Sequence, residues 1–169
     1  MKEPVYIIGV GMIRFNKYPD KSVRTMAEEA IRLVCADAGI DSKELQAAFF
    51  SNTFWGMFAS QHSIRGQVVL RGMGIDRIPV TNVENACAGA STALHLACAG
   101  IRADMFDVAL TVGSEKITHP NKAMSLGAYA SCMDVENFER HIQMITDVGK
   151  TFKIDIPGED LKGVIHGID

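Results

Sequence analysis

The chain has 169 residues, 47% hydrophobic and 22% charged, with a net charge of −3. That length suits one domain, or part of a larger one, with a real core. The composition argues against disorder and against a membrane protein. Without a positive field or a local Lys/Arg cluster, nucleic acid is not an expected partner.

The N-terminus, "MKEPVYIIGVGMIRF", has a short apolar run broken by glycines and then Arg14. It lacks the long apolar region and the cleavage site of a secretory signal. The cysteines at 35, 87, 98 and 132 form no CxxC pair, so reduced thiols and a cytoplasmic location are expected. No apolar stretch reaches the roughly 18 residues of a membrane span.

Residues 4–12, "PVYIIGVGM", read as a buried strand ending in glycines. A helix follows in "SVRTMAEEAIRLVCADAG", where Val23, Met26, Ala27, Ala30, Ile31, Val34, Cys35 and Ala38 share one face, Ser22 is the N-cap and Gly39 the stop. Asp41 and Glu44 have capping-box spacing, and "QAAFFSNTF" is a second strand. "SQHSIRGQVVLRGMG" predicts a shorter helix with Ile64, Val68 and Leu70 inward, stopping at Gly72 or Gly74. "IPVTNVE" is a third strand, with Pro79 tolerated at its start.

From Ala88 to Ala103 the residues are apolar or small almost all round, which predicts a helix buried on every side. "FDVALTVG" reads as a fourth strand, buried on both faces. This alternation predicts an α/β fold over residues 1–118, a mostly parallel sheet with helices on both faces. Residues 119–169 read as the start of a loop or cap excursion. Within it "HPNKAMSLGAYASCM" is loop-like, Asp134 caps a helix carrying Val135, Phe138, Ile142, Ile145 and Val148, and "KIDIPGEDLKGVIHGID" is turn-rich.

Several residues compete for a chemical role. The GxG of "IIGVGMIR" lacks the third glycine of a dinucleotide fingerprint and is read as a tight strand exit. His95 and Cys98 lie one helical turn apart, but two ligands do not make a zinc site, and no metal is expected. Met124, Met133 and Met144 could line an acyl pocket or simply fill gaps. Cys35 and Cys98 read as inert core thiols, and Cys132 as a loop residue without a role.

Cys87 differs by position. It falls where a strand gives way to a helix, and unpaired N–H groups with the positive end of the macrodipole favour a thiolate there. Ala86, Ala88, Gly89, Ala90 and Ser91 leave room for a substrate carbonyl. Position alone leaves both a nucleophile and a packing role open.

Three stretches, "VYIIGVGMIRFNKYPDKSV", "VENACAGASTALHLA" and "DVALTVGSEKIT", occur in the order in which they resemble the thiolase superfamily. Within it the sequence is most similar to sterol-carrier-protein-type thiolases and acetyl-CoA acetyltransferase-like relatives. The resemblance implies that Cys87 takes the acyl group of an acyl-CoA or 3-ketoacyl-CoA as a thioester. It implies coenzyme A thioesters as substrate, no permanently bound cofactor, and a homodimer or higher assembly. The family commonly has Ser-Gly two and three positions after the cysteine, where this chain has Gly89 and Ala90. The family's proton-transfer histidines and second cysteine belong to a second half that is absent here, so the expectation is a truncated piece, inactive alone. Two alternatives share the fold: a retro-aldolase acting on CoA esters, and a non-catalytic assembly subunit that partners a small zinc-ribbon/OB-fold protein.

Overall fold

The computed structural model describes residues 4–151. The chain divides into two compact units, Met1–Ala128 and Tyr129–Asp169.

In the first unit, helix α1 runs Val23–Ala38. Ser22 caps it by accepting the Thr25 N–H at 3.0 Å, and Gly39 ends it at φ +67°, a left-handed stop that glycine takes freely. Asp41 and Glu44 form the expected capping box around a 3₁₀ turn. Strand β1, Ala47–Ser51, is buried along its whole length. Then come α2 (Trp55–Ala59), α3 (Arg65–Gly72), strand β2 (Val80–Val83), α4 (Gly89–Arg102) and strand β3 (Ala109–Gly113).

The three strands form one parallel sheet in the order β2-β1-β3. Ala48, Phe50, Leu110 and Val112 face α1 and α3, while Ala47, Phe49 and Val83 face α4. This alternation is the period-two rule of a pleated strand; β1 is covered on both faces, whereas β3, read as buried on both, buries Leu110 and Val112 and leaves Ala109 and Thr111 half-buried. Phe50, Ile31, Leu70 and Val69 are the largest fully buried side chains, each stabilising the fold by about 1.5–3 kcal/mol.

Four further readings of the sequence are corrected. Residues 4–12 join no ladder, and Tyr6, Ile7, Ile8 and Val10 are exposed. A cavity of about 470 Å³ lies between this segment and β3, so it has no strand to pair with among the described residues. Its glycines serve close approach rather than a tight exit. A Cβ at Gly9 would lie 2.7 Å from the Ala38 Cβ, and one at Gly11 would meet the backbone of Val34 and Ala30. The Val10 N–H donates to Asp37 at 2.8 Å, which ties the segment to α1.

The second correction concerns α4, which is buried on one face only, through Gly89, Ala93, Ala97 and Gly100. Leu94 and Leu96 are exposed, because among the described residues only the sheet side covers the helix. Third, Ile64 points outward at φ +48° as the residue before α3, and Val69 takes the inward position. Fourth, the stretch read as a loop contains helix α5, Lys122–Ala130.

In the second unit, Asp134 starts a 3₁₀ turn, Val135–Asn137, which leads into α6, Phe138–Thr151. The turn-rich reading of 153–169 lies outside the described residues. Among the described residues no helix is long and apolar enough to cross a membrane.

Candidate active site

In a parallel α/β sheet the loops at the carboxyl ends of the strands converge, and ligands bind there. Three such loops meet in this chain: Asn52–Phe54 after β1, Glu84–Ala88 after β2 and Ser114–Glu115 after β3. Asn52, buried at 3% exposure, ties the loop after β1 to the loop after β3. Its side-chain N–H donates to the Ser114 carbonyl at 2.7 Å and to Glu115 Oε1 at 3.0 Å, and its Oδ1 accepts from the Trp55 N–H at 3.0 Å. Glu115 Oε2 accepts the N–H groups of Thr53 at 2.8 Å and Phe54 at 3.1 Å. A carboxylate taking two backbone donors makes stronger bonds than a neutral acceptor and fixes the loop.

Cys87 lies in the 3₁₀ turn Ala86–Ala88 that leads directly into α4. Its thiol is exposed. Among the described residues no side chain caps α4, whose N-cap is Ala88, so its first N–H groups have no side-chain acceptor. Such a helix start favours an anion. The Asn85 side chain donates to Thr92 Oγ1 at 2.9 Å, and Thr92 donates to the Ala88 carbonyl at 2.9 Å, which ties the turn to the second turn of α4.

Packing explains the glycine at 89. A Cβ there would run into Ser51 Oγ at the end of β1, so with the serine hydroxyl in this position the first turn of α4 lies too close to the strand for a side chain at 89. Ala86, just before the cysteine, sits at φ +43°. An alanine in this left-handed region costs about 1–3 kcal/mol and persists only where its surroundings hold it. Its N–H donates to Glu84 Oε1 at 2.7 Å. Thr53 Oγ1 lies 3.3 Å from the same oxygen and 3.5 Å from the Ala86 carbonyl.

The other candidates do not join Cys87. Cys35 is buried in the core of the first unit. Burial, and secondarily the charge of Asp41, push its thiol above the usual range. Cys98 is half-buried and lines the cavity beside β3, and His95 is exposed. Cys132 is exposed, as are Met124 and Met144. No group of three or more His, Cys, Asp or Glu among the described residues could hold a metal ion. Asn52, Thr53, Glu84 and Glu115 escaped the sequence reading. Their one available signal was a polar or acidic residue at the first positions after a buried strand.

The family pattern described as "Thiolase, N-terminal domain" matches residues 5–158. The chain belongs to the thiolase family. It is 35% identical over 132 residues to an acetyl-CoA acetyltransferase of Methanocaldococcus jannaschii, covering 78% of this chain and 33% of that protein. It is 30% identical over 136 residues to sterol carrier protein 2 of Gallus gallus, covering 79% and 24%. A benzoylsuccinyl-CoA thiolase subunit of Thauera aromatica is 32% identical over 123 residues, covering 70% and 29%. This thiolase N-terminal domain thus spans a third or less of the length of these relatives. Its fold is also similar to 3-oxoacyl-[acyl-carrier-protein] synthase III from Aquifex aeolicus, with a TM-score of 0.55 and 17% identity over 64% of this chain and 34% of that one.

Proposed function

We propose that this chain is the nucleophile-bearing part of a longer thiolase-type acyltransferase of the acetyl-CoA acetyltransferase or sterol-carrier-protein type. Cys87 attacks the carbonyl of an acyl-CoA or 3-ketoacyl-CoA. In the acyl-CoA case the sulfur–carbonyl bond forms, the tetrahedral intermediate collapses, and the coenzyme A thiolate leaves; in the 3-ketoacyl-CoA case the sulfur adds to the 3-keto carbonyl, the C2–C3 bond breaks, and the CoA-bound piece leaves as an enolate that takes up a proton. The N–H groups at the start of α4, which no side chain caps, are candidates to hold the oxyanion. Coenzyme A or a carbon nucleophile then takes the acyl group. The groups that move protons lie outside this chain, so the 169 residues alone are inactive. A cytoplasmic homodimer without a resident cofactor completes the reading, with a small zinc-ribbon/OB-fold protein as a candidate partner.

One observation carries this: an exposed cysteine in the turn that opens a 14-residue helix, at the carboxyl edge of a parallel sheet, in a chain of the thiolase family. The test is thiol labelling of the longer protein at neutral pH. Preincubation with a short-chain acyl-CoA is expected to block iodoacetamide at Cys87 and to add one acyl group to that peptide by mass. Full labelling of Cys87 after preincubation refutes the acyl-cysteine, and turnover retained by Cys87→Ala turns the assignment to the retro-aldolase.

A further inference from the structure

We propose that Glu84 is a positioning residue for Cys87. Its carboxylate clamps the left-handed Ala86 and thereby sets the direction in which the thiol leaves the sheet edge. The inference rests on Cys87 being the nucleophile.

The residue before Cys87 adopts φ +43° although it carries a methyl group. Glycine would hold that conformation without help; alanine needs an outside partner. The partner is two positions earlier. Glu84 Oε1 accepts the Ala86 N–H at 2.7 Å, a short bond to a charged acceptor. That oxygen is steadied by the Thr53 hydroxyl at 3.3 Å, and Thr53 by Glu115, which accepts its N–H at 2.8 Å. The loops after β3, β1 and β2 are therefore linked in a chain, Glu115 to Thr53 and Thr53 to Glu84, and of the two carboxylates only Glu84 reaches the Ala86 N–H beside Cys87. If the clamp opens, Ala86 relaxes toward negative φ and the sulfur swings with the rotating peptide. Glu84 acts through Ala86 and has no bond to the thiol in this geometry.

The experiment measures iodoacetamide alkylation of the Cys87 peptide by mass spectrometry in the full 169-residue chain, from pH 6 to 9. Glu84→Ala is expected to slow alkylation about tenfold at neutral pH. Glu84→Gln keeps an acceptor oxygen at the same reach and is expected to stay within about threefold of the parent across the profile. Adding Ala86→Gly to Glu84→Ala is expected to restore the rate to within about threefold, since glycine takes φ +43° unaided. A Glu84→Gln rate as low as that of Glu84→Ala overturns the proposal, because the charge would then act on the thiol itself. An unchanged rate in Glu84→Ala, or no recovery with glycine, also overturns it.

Protection of the Cys35 peptide reports an intact core in every variant. Should Glu84→Ala lose that protection, Ala86→Gly and Ala86→Val decide in the parent background. The glycine variant should match the parent and the β-branched one fall below it, and equal rates overturn the proposal. No acyl-CoA enters these measurements, so failure of the acyl-cysteine reading and failure of this one are separable.

Discussion

At the scale of single residues, small side chains and buried thiols dictate what the site tolerates. Gly89 lies against Ser51, and Gly89→Ala is expected to cost about 1–3 kcal/mol by overpacking. The clash is with the serine hydroxyl, whereas Ser51 Cβ would be at an ordinary 3.5 Å. Ser51→Ala should therefore recover most of that loss, and a double-mutant cycle from urea denaturation checks it; additive costs would show that the contact is not the cause.

Cys35 gives a pH signature. Its thiol is raised by burial, so the folded chain holds this proton more tightly than the unfolded chain does. The resulting stability is fully present below the ordinary thiol value and is lost as pH rises through the raised folded value. Urea midpoints on the alkaline side should fall more in the parent than in Cys35→Ala.

At the scale of elements, Asp134 sets the start of the second unit's helix. It accepts the Glu136 N–H at 3.1 Å and the Asn137 side chain at 2.7 Å. The Asn137 bond leads the effects that hold its carboxyl below the usual range. A depressed carboxylate contributes above its ordinary value, and the contribution is lost as pH falls through the folded value. The Glu136 and Asn137 amide signals are expected to move toward coil positions over that acid window, and the change should be absent in Asp134→Ala.

What the sequence reveals of these elements depends on where the deciding interaction lies. Helix α1 is legible because its stripe, the Ser22 cap and the Gly39 stop are all local. The core of β1 is legible from "AAFF" for the same reason. Residues 4–12 carry an equally good strand pattern, but a strand exists only beside a partner, and their own letters do not supply one. Helix α5 hides behind Pro120 and Gly127, without an apolar stripe. In the site, the place of Cys87 at the strand-to-helix junction is readable. The left-handed Ala86 is not, because an alanine gives no sign of the φ angle that Glu84 imposes on it.

For the whole chain, the balance of covered and uncovered apolar surface matters most. Tyr6, Ile7, Ile8 and Val10 are 57–74% exposed, and the β3 edge beside them has no strand partner among the described residues. Contiguous surface of this kind and a free strand edge favour association. The 169-residue chain is expected to sediment as associated species at tens of micromolar. Ile8→Lys should shift it toward monomer without moving the Trp55 unfolding midpoint; a parent that sediments as one monomeric species would refute this.

The strand order has a consequence for synthesis on the ribosome. The central strand is the first of the three to be made, and Ala47 meets Ala109 only after about sixty more residues have been translated. At about 5–20 residues per second the nascent "AAFF" stretch waits roughly 3–12 s without its second neighbour. That interval is a window for chaperone capture, and a synonymous pause placed before codon 109 would lengthen it without altering the finished molecule.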